Sequence, residues 1–167
     1  MPALRPPPEA PVDADRSVLH RRHRAHALAR EIAVYGEAQG LVLRNIYREP
    51  DPQAFVLAWL WLWQREDPRL ADFLEHSFRE YWAERFDPAS LEQAEEMLGV
   101  AAKSAQGFRA WAAGEGDALR RDVAEGLRER GIFAVPGYFV EGEYFSGRQH
   151  LPMIRFVLEG RQGRGPI

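Results

Sequence analysis

The sequence predicts an α/β chain made mostly of helix, with one β-hairpin near its end, and three observations predict it. Asp-Pro occurs at Asp51-Pro52, Asp67-Pro68 and Asp87-Pro88, each time just before an apolar stretch of helical period. After Gly131 the pattern shortens to two aromatic and β-branched runs around Glu141-Gly142. Leu151 to Leu158 then returns to helical spacing.

Residues 1–16 form the lead-in. Five prolines fall within its first 14 residues, with few apolar side chains, which predicts a flexible or extended segment. Residues 17–130 read as helical. The first helix spans about Ser17 to Gln39, with Leu28, Ile32 and Tyr35 at i, i+4 and i+7 as its buried stripe and Gly40 as its left-handed stop. Aspartate accepts from free N–H groups, and proline suits a first turn because its missing N–H would be unpaired anyway. The three Asp-Pro pairs therefore predict helices over about 52–65, 68–85 and 88–98, with Gly99 ending the third. A further helix is expected over 101–113, broken by Gly114-Glu115-Gly116. Asp117 is expected to cap another that stops at Gly131.

Residues 131–160 carry the hairpin and the last helix. Tyr138-Phe139-Val140 and Glu143-Tyr144-Phe145 flank a two-residue turn ending in glycine. The tail, 161–167, is expected to fray. A two-stranded hairpin is marginal alone, so this balance of elements is unusual.

Composition excludes several functions. The 167 residues hold no cysteine, which rules out disulfides, thiolate nucleophiles and cysteine-type zinc sites. The net charge of −3 gives no general pull toward nucleic acid or anionic membrane. Of 22 basic residues only Lys103 is lysine. The longest apolar run, Ala54 to Trp63, is too short to span a bilayer. No apolar leader follows Met1. A soluble, cytoplasmic protein is the expectation.

The stretch Arg130-Gly131-Ile132-Phe133-Ala134-Val135-Pro136-Gly137-Tyr138-Phe139-Val140-Glu141-Gly142-Glu143-Tyr144-Phe145-Ser146-Gly147 carries a resemblance. It resembles the C-terminal signature of 2-hydroxychromene-2-carboxylate isomerases, kappa-class glutathione transferases and DsbA-type proteins. The match covers about thirty residues, 130–158; the helical part before it agrees only in order and length. The resemblance implies a thioredoxin-like α/β fold of the DsbA/kappa type with a large helical insertion, and a glutathione-linked isomerase or transferase family. It implies a cis Val135–Pro136 bond beside the active site, where Val135 and Pro136 pair with a peptide-like ligand such as glutathione. It also implies that the loop Gly147-Arg148-Gln149 meets the γ-glutamyl end.

The sequence departs from that family twice. Gln149 stands where an aspartate is expected, which removes an ionic partner for the glutamyl ammonium. Nothing before Ser17 reads as the family's first βαβ unit, which holds the catalytic residue. The chain is a fragment, has a misplaced start, or is a degenerate relative; in each case the catalytic residue is unknown and the chain as given is expected to be inactive. A non-catalytic binding or scaffolding protein on the same fold is the alternative. The missing strand also leaves the hairpin with an unpaired edge, which predicts a homodimer, or disorder and aggregation of the isolated chain, unless an N-terminal segment is missing.

Trp59, Trp61 and Trp63 cannot all point one way on a helix. In the resembling isomerases the helical insertion roofs an aromatic substrate pocket, so these residues are candidates to line one, beside the plainer reading as core. His20, His23 and His26 lie three apart, but Arg21, Arg22 and Arg24 repel a cation, and a solvated basic face is the better reading than a metal site. The five arginines from Arg16 to Arg30 lack interleaved aromatics, so neither metal nor nucleic acid is expected as a partner.

Overall fold

The computed structural model describes residues 11–13, 15–132 and 135–166. Most of the lead-in, together with Phe133, Ala134 and Ile167, lies outside them. The mixed α/β character holds: helices dominate, and the described residues contain one two-stranded antiparallel sheet.

The chain divides into two units, Met1–Arg120 and Arg121–Ile167. In the first, α1 spans Arg16–Ala38, α2 Gln53–Gln64, α3 Leu70–Trp82 and α4 Leu91–Met97. A π-helical turn, Leu98–Ala102, extends α4. The short α5, Phe108–Trp111, runs through a second π-helical turn, Ala112–Gly116, into α6, Asp117–Glu129, whose first residues belong to this unit.

Asp15 caps α1, its carboxylate accepting from the Val18 N–H at 2.9 Å. The three Asp-Pro pairs behave alike, but not as helix caps. Each aspartate accepts from the N–H two residues on: Asp51 from Gln53, Asp67 from Arg69 and Asp87 from Ala89, all at 3.0 Å. These are Asx-turns that aim the chain at a helix starting slightly later. The shift is largest at α4, which begins at Leu91 rather than 88, with Ser90 as its cap.

The helix ends share one geometry. After α1, the Leu41 N–H bonds the Gly36 carbonyl and Gly40 adopts a left-handed φ of 66°. This is a Schellman closure. It recurs after α2 and α3 with Glu66 and Glu84 in the left-handed position, at φ 50° and 59°.

Five further expectations need correction. Leu28, Ile32 and Tyr35 are not a buried stripe: they are 50%, 37% and 61% exposed, while α1 buries Ala29 and Gly36. Helical period marks a shared face; it does not supply a neighbour to cover it. Gly99 does not end α4, because the π-turn carries the helix to a left-handed Lys103. The helix expected over 101–113 begins only at Phe108. Gly114 to Gly116 do not break the chain either, and Asp117 lies inside a helical run instead of capping one.

The core of the first unit is aromatic. Phe55 stacks on Phe73 at 5.8 Å, and Trp61 meets Trp111 and Phe108 edge-on at 5.3 and 5.9 Å. Leu60, Leu62, Phe73, Leu98 and Phe108 are fully buried.

In the second unit, α6 ends in the same closure at Gly131. Strands β1, Gly137–Val140, and β2, Glu143–Ser146, pair in the register Gly137↔Ser146 to Val140↔Glu143. Glu141 and Gly142 both have positive φ, 51° and 85°, as a type I′ turn requires. A 3-10 turn, Arg148–His150, leads to α7, Leu151–Leu158, which packs on β1 and buries Ile154 and Val157. This helix falls on its expected residues.

Candidate functional site

The open end of the hairpin gathers the residues that the resemblance singled out. The Val135–Pro136 bond is cis. The Gly147 N–H donates to the Pro136 carbonyl at 2.8 Å, continuing the hairpin ladder by one rung. Pro136 and the loop Gly147-Arg148-Gln149 are thereby held together, with Val135 beside them and 93% exposed.

Gly147 has φ 95°. That left-handed backbone favours glycine, and a Cβ there would also require the end of the Gln149 side chain to shift. The Gln149 amide is engaged within the loop: its Nε2 donates to the Ser146 carbonyl at 2.9 Å. A carboxylate at this position would have no proton to give that carbonyl, so glutamine suits this closed loop.

The hairpin has two unlike faces. Tyr138, Val140 and Phe145 are half-buried on one side, where Phe145 also meets His150 at 5.9 Å. On the other, Phe139 lies over Tyr144 at 5.1 Å and is 52% exposed.

No protein-family model matches the chain, and no curated protein matches it.

The three candidate tryptophans sit on α2, in the first unit, in different surroundings. Trp61 is 5% exposed. Its Nε1 donates to the Ser104 carbonyl at 2.5 Å, and the Arg65 guanidinium lies 3.1 Å above its ring while bonding the Trp61 carbonyl. Trp59 and Trp63 stack on each other at 6.4 Å, Trp59 half-buried and Trp63 50% exposed. Three of the cavities formed by the described residues of this unit have none of these tryptophans in their walls.

One of those cavities, about 240 Å³, was not foreseen from the sequence. It is walled by prolines and rings from the start of α2, from α3 and from the segments at 50–52 and 86–88. The i, i+4 pairs Ser77–Tyr81 and Phe78–Trp82 were a legible signal for one wall.

Elsewhere, two carboxylates are paired with arginines. Hydrogen bonds from the Arg69 side chain and backbone hold the Asp67 carboxyl below the usual carboxylate range, and the Arg85 guanidinium does the same for Glu80. Burial raises the Tyr81 phenol above its ordinary value, against the opposing charge of Arg48. Among the described residues no group of three or more His, Cys, Asp or Glu could hold a metal ion, and no helix is long and apolar enough to cross a membrane.

Proposed function

We propose that the hairpin and α7 are the ββα half of a thioredoxin-like fold, and that the chain is a relative of the 2-hydroxychromene-2-carboxylate isomerases and kappa-class glutathione transferases in the DsbA-type group. One observation carries the reading: the Gly147 N–H bond to the Pro136 carbonyl, which unites Val135, Pro136, Gly147, Arg148 and Gln149 at one end of the hairpin. In such a fold that end takes a peptide-like ligand, glutathione among them, by strand pairing. A small aromatic molecule is the matching substrate class.

Within these 167 residues the site is incomplete. With no cysteine there is no thiol–disulfide exchange. Gln149 is spent on the Ser146 carbonyl and offers the glutamyl ammonium no charge. Ser146 ends β2 and is no substitute for a nucleophile at a helix start. The chain therefore does not turn over chromene carboxylates at a useful rate by itself.

A binding or scaffolding role on the same fold is the second reading. The sheet has two strands among the described residues, and a strand with an unpaired edge accepts another strand, including that of a second copy; the exposed Phe139 adds an apolar face beside it.

The test is to titrate glutathione while following backbone amide resonances, then to assay chromene-carboxylate isomerisation. The expected result is weak, millimolar binding that shifts Val135 and Gly147 to Gln149, without turnover. No shift at these residues sinks the glutathione-linked reading and leaves the scaffold. Micromolar binding with turnover shows a complete site and overturns the inactive one.

A further inference from the structure

We propose that α1 is a binding face for the phosphate backbone of double-stranded nucleic acid. This face is independent of the hairpin end and of the family reading.

Charge is unevenly placed along the chain. Between Arg16 and Arg30 there are five arginines and three histidines, and no carboxylate. The net charge of −3 gives the whole molecule no attraction for a polyanion, but it belongs entirely to the rest of the chain. Any attraction is concentrated on this one helix.

The helix presents these groups as a stripe. Arg16, His20, His23, Arg24 and Arg30 fall at i, i+4, i+7, i+8 and i+14, which places them on one side of an unbroken helix. All five are exposed, while the buried Ala29 and Gly36 lie on the opposite side. The stripe is about 21 Å long at the helical rise of ~1.5 Å per residue. A duplex carries one charge per ~1.7 Å of its axis, so about twelve phosphates lie along that length.

The arginines of α1 are not neutralised from within. Among the described residues none of Arg16, Arg21, Arg22, Arg24 and Arg30 makes an ion pair. Other helices pair theirs: Arg79 with Glu75 on α3, Arg128 with Glu125 on α6, and Arg155 with Glu159 on α7. Asp15, the carboxylate just before the stripe, accepts from the Ser17 hydroxyl and the Val18 N–H. Close like charges repel one another, and a row of phosphates removes that cost while gaining charge-assisted hydrogen bonds.

The surrounding residues select the partner. Single strands are held by stacking on aromatic rings, and the helix has none before Tyr35. The stripe also lacks Asn and Gln, so it meets phosphates and discriminates little between sequences. A helix that lies in a lipid surface turns an apolar face outward. Here charge is outermost, and the exposed Leu19 and Leu28 lie on its two flanks.

The experiment uses the full chain, with a short mixed-sequence DNA duplex, one of its single strands, and phosphatidylserine-containing vesicles as probes. Fluorescence anisotropy should show duplex binding with a Kd on the order of 10⁻⁶–10⁻⁴ M. Affinity should fall with salt at a log–log slope of roughly −3 to −5, as three to five arginines displace counterions. The triple variant Arg16→Gln, Arg24→Gln, Arg30→Gln should bind at least about 10-fold more weakly, with a slope flatter by roughly 3. The control Arg79→Gln, Arg128→Gln, Arg155→Gln removes the same charge from paired arginines and should change affinity less than about 2-fold. If the α1 variant fails to fold, Arg24→Gln decides alone, with a slope flatter by about 1. No duplex binding, tighter binding of the single strand, or equal losses in the two triple variants overturns the proposal. Vesicle binding without duplex binding, lost in the α1 variant, assigns the face to lipid and overturns it too.

Discussion

Gly116 lies flat against the indole of Trp111: a Cβ at position 116 would come within 2.6 Å of Cε3 and Cζ3. Trp111 in turn packs on Trp61 at 5.3 Å, so the missing side chain sets the position of two tryptophans. The π-turn at 112–116 is what brings Gly116 to that ring.

Gly116→Ala should therefore destabilise the protein by about 1–3 kcal/mol, the cost of forcing a core ring aside. Gly126→Ala on α6 is the control. Nothing lies within 4 Å of its added methyl, and alanine in a helix should gain roughly 0.5–1 kcal/mol. Urea melts of both variants check the opposite signs; equal effects would remove the steric explanation.

The α2 tryptophans should respond unequally to truncation. Trp61→Ala should cost about 3–5 kcal/mol, since it empties a buried site and strips Ser104 and Arg65 of their partner. Trp63→Ala should stay within about 1 kcal/mol, because its ring is half exposed. Chemical denaturation of each variant is the check, with Trp59→Ala between them.

Glu66 and Gly40 do the same job with opposite ease. Both hold the left-handed residue of a helix closure, at φ 50° and 66°. Glu66→Gly should stabilise by roughly 0.5–1 kcal/mol, the left-handed strain relieved less the extra freedom of glycine in the unfolded chain. Gly40→Ala should destabilise by a similar amount, although no atom lies within 4 Å of the added methyl. Thermal melts that fail to separate the two would count against backbone strain as the cause.

Acid should weaken the fold through Asp67 and Glu80. Their folded carboxyls sit below the ordinary range, lowered by Arg69 and Arg85 respectively. A lowered folded pKa means stabilisation that is complete above the ordinary carboxylate range and lost as pH falls through the folded value. Stability should thus hold from neutral pH to about 5 and decline below about 4. Asp67→Asn, which keeps an acceptor for the Arg69 N–H, should flatten that decline in urea melts taken across the range.

What the sequence revealed was chiefly punctuation. Glycine at 40 and 131 marked helix stops, Glu141-Gly142 marked the type I′ turn, and Leu151 to Leu158 marked α7 to the residue. These signals are local, carried by residues whose backbone preferences act without neighbours. The left-handed residues Glu66 and Glu84 carried no such signal, because glutamate has no preference for a left-handed φ; the Asp-Pro pairs that follow marked those helix ends instead. Leu28, Ile32 and Tyr35 misled for the opposite reason, a clear local pattern lacking a partner surface. The hairpin-end residues were found through a linear motif whose members lie close along the chain. The Ser77 cavity was not, because its wall joins residues from 50 to 88 that meet only after α2 and α3 pack.

Lys103, the left-handed residue that ends the first π-turn, is exposed and is the chain's sole lysine. Apart from the α-amino group, it is the one primary amine for an acylating dye to modify. Its neighbour Ser104 receives the Trp61 indole N–H, so a fluorophore on Lys103 would sit next to the aromatic core of the first unit. Energy transfer from those tryptophans to the dye would report the integrity of this core during unfolding, without any engineered residue.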